Sequence, residues 1–557
     1  MGAQARTSAP QAAPTCDGLV VSEIVVAPTP PFVRGIPARW QLITRFLGRI
    51  HVTSQPDLIR NFLALEVGEL CSEFRRVESE RILRAQPFIA TAAVTTEPDG
   101  EGGVRVLVET SDEVTTIFQP RVSLNNPMMR GMRLGEGNLM GEGIHASVEW
   151  RAGTFGRDAF GVRFLDYQVG NLPYQLGVDV RRDQLGGFWV VNMSHPFFTD
   201  LQRAGWSAGG GERREYVRFT RDEGDDVAII AERAYGQVGG IVRVGPPGRL
   251  SLFGASLTTE RSSTGARTQL ITPDGPVPVP PFDVEAARYG DVNATRLNAA
   301  WGVRNISFLR VVAFDALTAV QDVRSGFEAG GLAGRSLASL GSTEDDLFVA
   351  GDIYAGGGSP RSFVQLEAHG EARQDFNTDE WDSMVSSGRL AWYLHTTPRH
   401  TAVVSGEWAG SWSSRVPVAL RLGDPDGGVR GYDGSRALGE RRVVGRLENR
   451  VYLGQYRETS QFGVGVFADV GRVWAGQALF GQDTPAKVGV GASLLVAIPP
   501  RSQRTWRLDL ALPVSADPHA GFEVRVSSTN ANLGWQPPPD VVRARAQAIP
   551  TSIYTWP

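Results

Sequence analysis

The chain is poor in the residues that carry metal and redox chemistry. It has two cysteines and seven histidines in 557 residues, and Lys487 is the single lysine among 56 basic side chains. Two cysteines cannot build a four-thiolate zinc cage. The histidines are scattered, and none stands in a His-Glu-x-x-His pattern. Without a Gly-Lys-Ser/Thr no phosphate loop can form, and no serine-nucleophile elbow stands out. Asp424-Pro-Asp-Gly427 opens like a calcium loop, but Ser435 stands where the closing acid is needed. No catalysis, cofactor or metal is therefore expected. Net charge is −4 and the pI is near 6.1, which leaves no footprint for nucleic acid. No run of eighteen apolar residues exists, so no transmembrane helix is present. Membrane-spanning strands remain open, because their alternation leaves overall hydropathy close to that of soluble proteins.

Glycine, by contrast, is abundant at 65 residues. The densest stretch is Gly427-Gly-Val-Arg-Gly-Tyr-Asp-Gly434. Four glycines in eight residues cannot hold a helix or an inner strand, but they can fold back tightly. Arg430 and Tyr432 sit at the centre. Two strand-like segments follow, Arg446 to Tyr452 and Gly463 to Asp469. Period two puts Gly463, Gly465, Phe467 and Asp469 on one face, and Arg446, Glu448, Arg450 and Tyr452 on one face of the other. Val464 and Val466 suit lipid, so the Asp469 face is read as a barrel lumen, and Arg430 as inserted into it. An Arg430–Asp469 pair is expected, charge-assisted and bidentate. Glu448 joins it, or else pairs with Arg446 or Arg450. Tyr432 stacks on the lumen wall, or is simply an amphipathic loop residue.

Along the chain, Leu19 to Val26 reads as a strand, Trp40 to Ile50 as a short helix, and Ser54-Gln-Pro-Asp57 as a capped helix start. A second helix falls near Phe74 to Arg84. Strands follow at Phe88 to Thr95 and Val104 to Glu109. This makes a small α+β domain. From Phe118 to Val526 short alternating segments are separated by Gly-, Asp- and Pro-rich turns. In one, Leu508, Leu510, Leu512 and Val514 oppose Arg507, Asp509 and Ala511. A soluble sandwich gives the same alternation, but length favours a barrel. About 400 residues at about fifty per hairpin predict sixteen strands. Thr258 to Asn293 reads as a long outer loop.

The domain boundaries read as follows. Residues 1–17 are a leader remnant or disordered, with Ala3-Gln-Ala5 like the tail of a cleavage site. Residues 18–114 form the small domain, 115–526 the barrel, and 527–557 a flexible Pro- and Ala-rich tail. Cys16 and Cys71 make one disulfide if the chain is exported, or are two unrelated buried thiols.

Several motifs together resemble the outer-membrane assembly and two-partner-secretion transporter superfamily, the BamA-type bacterial surface antigens. Val429-Arg430-Gly431-Tyr432 is similar to the signature on that family's sixth outer loop. Phe467-Ala-Asp469-Val-Gly471 is similar to its Phe-x-Asp strand motif. Leu134 to Gly143 resembles its first-strand Asn-Leu-x-Gly-x-Gly pattern, and His195-Pro-Phe its Arg-Pro-Phe. Leu63 to Gly68 and Glu78 to Arg84 resemble a POTRA domain. The chain departs from the family in carrying residues beyond its last strand and in having one POTRA-like domain.

The resemblance implies a mainly β protein: a sixteen-stranded antiparallel transmembrane β-barrel in the bacterial outer membrane, preceded by one periplasmic POTRA-like domain. It implies Val429, Arg430, Gly431 and Tyr432 as the lumen loop, braced by Glu448, Phe467, Asp469 and Gly471. The partners implied are outer-membrane lipid, an exported or membrane-inserting polypeptide, and periplasmic accessory proteins. The alternatives are a passive channel or structural barrel, and a lipid or lipoprotein exporter.

Overall fold

Alternation of valines sets the front domain. In the computed structural model the described residues are 16–31, 52–123, 128–153, 157–183, 185–221, 226–272, 274–279, 289–423, 427–531 and 534–545. The chain opens with β1 (Val21–Thr29), α1 (Pro56–Arg60), α2 (Glu73–Arg84), β2 (Ile89–Pro98) and β3 (Val104–Asp112). β3 lies in the middle of a three-stranded sheet, parallel to β1 and antiparallel to β2. Its Val104, Val106 and Val108 point inward and are buried, while Leu58, Ile59, Ile82 and Leu83 of the helices close over them. Cys16 and Cys71 sit in the same cluster and are disulfide-bonded, with Cα atoms 5.6 Å apart.

Ser54 is not the helix cap that its spacing suggests. Gln55 stands at that position, without a side-chain bond. The Ser54 N–H and hydroxyl instead donate to Asp112 at 2.7 and 2.9 Å, and Asn138 donates to the Ser54 hydroxyl at 2.9 Å. A tertiary carboxylate outcompetes a five-residue helix for that hydroxyl. The helix expected at Trp40 to Ile50 and the leader remnant, residue 16 onward excepted, lie outside the described residues.

From Thr116 on, the chain forms one antiparallel sheet that closes as a barrel, with Glu523–Asn530 beside Thr116–Ser123 in the sheet order. Among the described residues the barrel holds twenty-one strand segments, not sixteen. One of them, Gly275–Pro278, is a flap folded back on Arg249–Thr272. The count rises because some hairpins are short. Between Ile144 and His195 four strands of eight or nine residues occupy the length expected of one hairpin. The outer loop expected at Thr258 to Asn293 is shorter than its composition suggested, because Arg249–Thr272 continues as strand through Thr272.

The barrel is apolar outside and charged inside. Val443, Leu447, Val464, Val466, Val470, Leu510 and Leu512 are exposed on the outer wall. Arg296, Arg304, Arg442, Asp469 and Asp509 are buried within. Such charges need partners when withdrawn from water. Arg296 binds Asp346 at 2.6 Å, and Arg304 binds Glu328 at 2.6 Å.

The tail is shorter than its composition suggests. Ser527 to Asn530 complete the last strand, and α3 (Pro539–Ala544) packs Val541 and Ala544 against Ala409 of the wall and Val418 and Leu420 of the connection after His400–Trp412. The prolines that read as weak order place Pro in the first turn of this helix, where its missing N–H costs nothing. Tyr554 and Trp556 lie outside the described residues.

The short turns at one end of the barrel meet the front domain. Arg84 binds Asp322 at 2.7 Å, Arg81 donates to the Phe198 carbonyl at 2.9 Å, and the Arg81 guanidinium lies 4.2 Å from the Phe308 ring centre. Glu113, between β3 and the first barrel strand, is fully buried. It accepts from the Ser502 hydroxyl at 2.6 Å and the Gln503 N–H at 2.7 Å. Burial pushes its carboxyl above the ordinary range, against the pull of Ser502, Arg504 and the Gln503 amide. The folded form therefore holds this proton to higher pH than the unfolded form. Above the ordinary value of about 4.3, the junction loses stability as pH rises toward the raised value. Limited proteolysis at residues 114–116 should speed up across that window in the wild type, and Glu113→Gln should flatten the dependence.

A braced loop inside the barrel

The strand Ser460–Trp474 alternates strictly. Gly463, Gly465, Phe467, Asp469 and Gly471 are buried on the inner face, and Val464, Val466 and Val470 are exposed outside. Its neighbour Arg441–Tyr456 sets Glu448 beside Phe467 and Arg446 beside Asp469 in register. The loop carrying Arg430 connects His400–Trp412 to Arg441–Tyr456 at the end away from the front domain. In this barrel it is the eighth such connection in chain order rather than the sixth.

The Arg430 side chain reaches Asp469 through two parallel bonds, Nε to Oδ2 at 2.7 Å and Nη2 to Oδ1 at 2.8 Å. Its own N–H adds a third, to Oδ2 at 3.3 Å. Nη1 donates to Asp509 at 3.4 Å and lies 3.7 Å from Glu448. The guanidinium stacks 3.4 Å from the centre of the Phe467 ring, adding a cation–π contact. Glu448 belongs chiefly to another arginine. It takes a bidentate pair from Arg507, with both bonds at 2.9 Å, and lies 3.4 Å from Arg450. Arg446 turns to the loop, donating to the carbonyls of Gly427 and Gly428 at 3.0 and 3.1 Å.

Glycines let the loop approach this closely. Gly431 has φ +92, a left-handed conformation that side chains disfavour. A Cβ at wall residue Gly489 would stand 2.0 Å from the Arg430 carbonyl, and one at Gly471 would stand 2.4 Å from the Val429 methyl. Gly471 thus gives Val429 its seat. Tyr432 is fully buried. Its hydroxyl lies 2.9 Å from the Val488 carbonyl and 2.8 Å from that of Ser515, and accepts the Ser515 N–H at 3.1 Å. It is hydrogen-bonded rather than stacked. The Gly431 N–H donates to Glu523 at 2.6 Å.

One loop therefore touches the last five strands: Arg441–Tyr456, Ser460–Trp474, Lys487–Ala497, Arg504–Pro513 and Glu523–Asn530. Sequence reasoning brought Arg430, Phe467 and Asp469 together. It missed Arg507, Asp509, Glu523 and Gly489. Arg507-x-Asp509 faces the lumen by period two, and that inward placement was the available signal. Nothing local marks Glu523 as a loop partner.

Deleting one member of a buried pair costs about 3–5 kcal/mol, because the other is left charged and alone. Arg430→Ala and Asp469→Ala should each lower the temperature at which the barrel loses its compact gel mobility. The double change should be little worse than either single one, since they share one interaction. Arg430→Lys should recover little, lacking the planar fork. Strictly additive losses would argue against the pairing.

Among solved structures, CdiB from Escherichia coli aligns with a TM-score of 0.43 at 12% identity, covering 94% of this chain and 92% of its own. BamA from Haemophilus ducreyi lacking POTRA domains 1–3 aligns with a TM-score of 0.36 at 11% identity, covering 92% and 85%. The alcaligin outer-membrane receptor FauA from Bordetella pertussis aligns at 0.29 and 9% identity, covering 76% and 67%. No protein-family model and no curated protein matches the sequence. Likeness at these scores fixes neither family nor activity.

Proposed function

We propose that this chain is an outer-membrane β-barrel that assembles or translocates polypeptides, with the POTRA-like domain capturing substrate in the periplasm. The observation that carries the reading is the joining of two parts. A small sheet with an open edge is docked at the mouth of a barrel whose charges face inward and whose valines and leucines face outward. Spanning strands with an apolar outer band suit a bilayer. The Val429 to Tyr432 loop braces the wall at the opposite end.

β2 is the edge that would receive substrate. It pairs with β3 on one side and has no strand partner on the other among the described residues. At Val94 the outward groups are taken by side chains: the N–H donates to Glu80 at 3.2 Å, and the carbonyl accepts from Arg76. Period two then turns Ala92 and Thr96 outward as well. An extended segment adding there would gain main-chain hydrogen bonds of the β-augmentation kind at Ala92 and Thr96, and would displace Glu80 and Arg76 from Val94. No nucleotide is available to such a reaction at the outer membrane, so substrate folding or insertion supplies the free energy.

A passive channel is less well supported, because the lumen holds the Arg430 loop and α3. Thr96→Pro removes one outward N–H without disturbing the β3 ladder. It should leave the barrel folded and heat-modifiable while depleting the surface proteome of the proteins that depend on this gene. An unchanged surface proteome in both Thr96→Pro and a gene deletion would favour a structural or passive role.

A further inference from the structure

The last strand ends at Asn530, where the barrel turns face the front domain. The chain then turns back into the bore. Pro538 comes against Gly427 of the Arg430 loop, so that a Cβ on that glycine would stand 2.6 Å from the Pro538 Cβ. Asp540, buried to 3% exposure, takes a bidentate pair from Arg442 of the wall, at 2.6 and 3.1 Å. Arg442 also donates to the Arg421 carbonyl at 2.6 Å, within the loop that carries Arg430. Val541 and Ala544 cover Ala409, Val418 and Leu420, and Arg233, from the far wall, donates to the Arg543 carbonyl at 3.3 Å. The segment thus bridges walls that are remote in the sheet order.

We propose that residues 534–545 are a tethered plug: a segment of the chain itself that fills the outer part of the lumen and must leave before a polypeptide can pass. This rests on reading the chain as an outer-membrane pore. Its construction suits release. α3 has six residues and no side-chain cap, too short to persist as a helix once off the wall. The Asp540–Arg442 pair, the bond from Arg233 to the Arg543 carbonyl, Arg545 beside Glu371 and Asp352 of the wall, and a small apolar cluster hold it. Pro537-Pro-Pro539 forms a stiff lead that returns the segment to the same place. The wall beneath is continuous with the loop, so departure of the plug uncovers Gly427 and Arg442 without breaking the Arg430–Asp469 pair.

Ser387 offers a reporter. It is buried beside the plug, lining the same small cavity as Ala409, Pro538 and Val541. Both native cysteines are in the disulfide, so Ser387→Cys would provide the one free thiol among the described residues. In intact cells a membrane-impermeant maleimide should label Ser387→Cys slowly, and at least tenfold faster when Asp540→Arg is added. Purified full chain should conduct weakly in planar bilayers. Asp540→Arg, and separately truncation after Asn530, should raise conductance several-fold. The reversed pair Arg442→Asp/Asp540→Arg should bring it back toward wild type. Oxidised Gly427→Cys/Pro538→Cys, whose positions need a shift of about an ångström to reach disulfide spacing, should stay closed until reduced. Unchanged conductance in both Asp540→Arg and the truncation overturns the plug, even if labelling accelerates. Unchanged labelling overturns it too. Loss of heat-modifiable barrel in Asp540→Arg transfers the decision to the truncation. Failure of the wild-type chain to partition into outer membranes instead sinks the pore reading itself.

Discussion

A guanidinium held in a low-dielectric bore by two parallel hydrogen bonds organises the end of this chain. Arg430 and Asp469 are both buried, and neither charge is tolerable there without the other. Direction matters as much as energy. The fork of Arg430 accepts one orientation of the carboxylate, which fixes the loop against Ser460–Trp474 and places Gly431 and Tyr432 on the strands that follow. A connection that would otherwise be solvated becomes a cross-brace over five consecutive strands. It lies beside the place where the sheet closes on its first strand, the region with fewest sequence neighbours to keep it in register.

The same logic recurs elsewhere in the lumen. Arg296 is shared between Asp346 and Glu260, and Arg373 binds both Asp382 and Glu344. At the end facing the front domain, residues 313–319 fold inward. Phe314 stacks on Tyr393 at 5.0 Å, and Leu317 packs on Leu495 and Ala497. An aromatic wedge at one end and a charged clamp at the other are two answers to one problem. A wide barrel has more inner surface than side chains of its wall can fill, so connections fold in to cover it.

Period two made much of this legible. The inward face of Gly463 to Asp469 and the outward face of Leu508 to Val514 follow from the pleat alone. The front domain followed from the change of hydrophobic period between Val26 and Val104. Strand number did not, since it depends on how long each hairpin is, and composition averages over long and short ones. Glu448 shows a different limit. Its strand and its face were plain, but which of Arg430, Arg446, Arg450 or Arg507 it binds is decided by side-chain reach across three strands. Arg507 lies three strands away in the sheet order and wins by presenting its fork squarely. Ser54 shows the same competition between local and distant partners, resolved in favour of Asp112.

The tail carries the argument one step further. Pro- and Ala-rich sequence cannot build a core of its own, and composition alone reads it as disordered. A barrel lumen supplies the missing half of the core. Val541 and Ala544 find apolar partners on the wall and on the inward loop, and Asp540 finds an arginine that would otherwise stand buried without a carboxylate. Order in such a segment is borrowed from its container and is therefore conditional. Whatever displaces Asp540 from Arg442 must offer the wall an equivalent negative charge, or accept the cost of an unpaired buried cation.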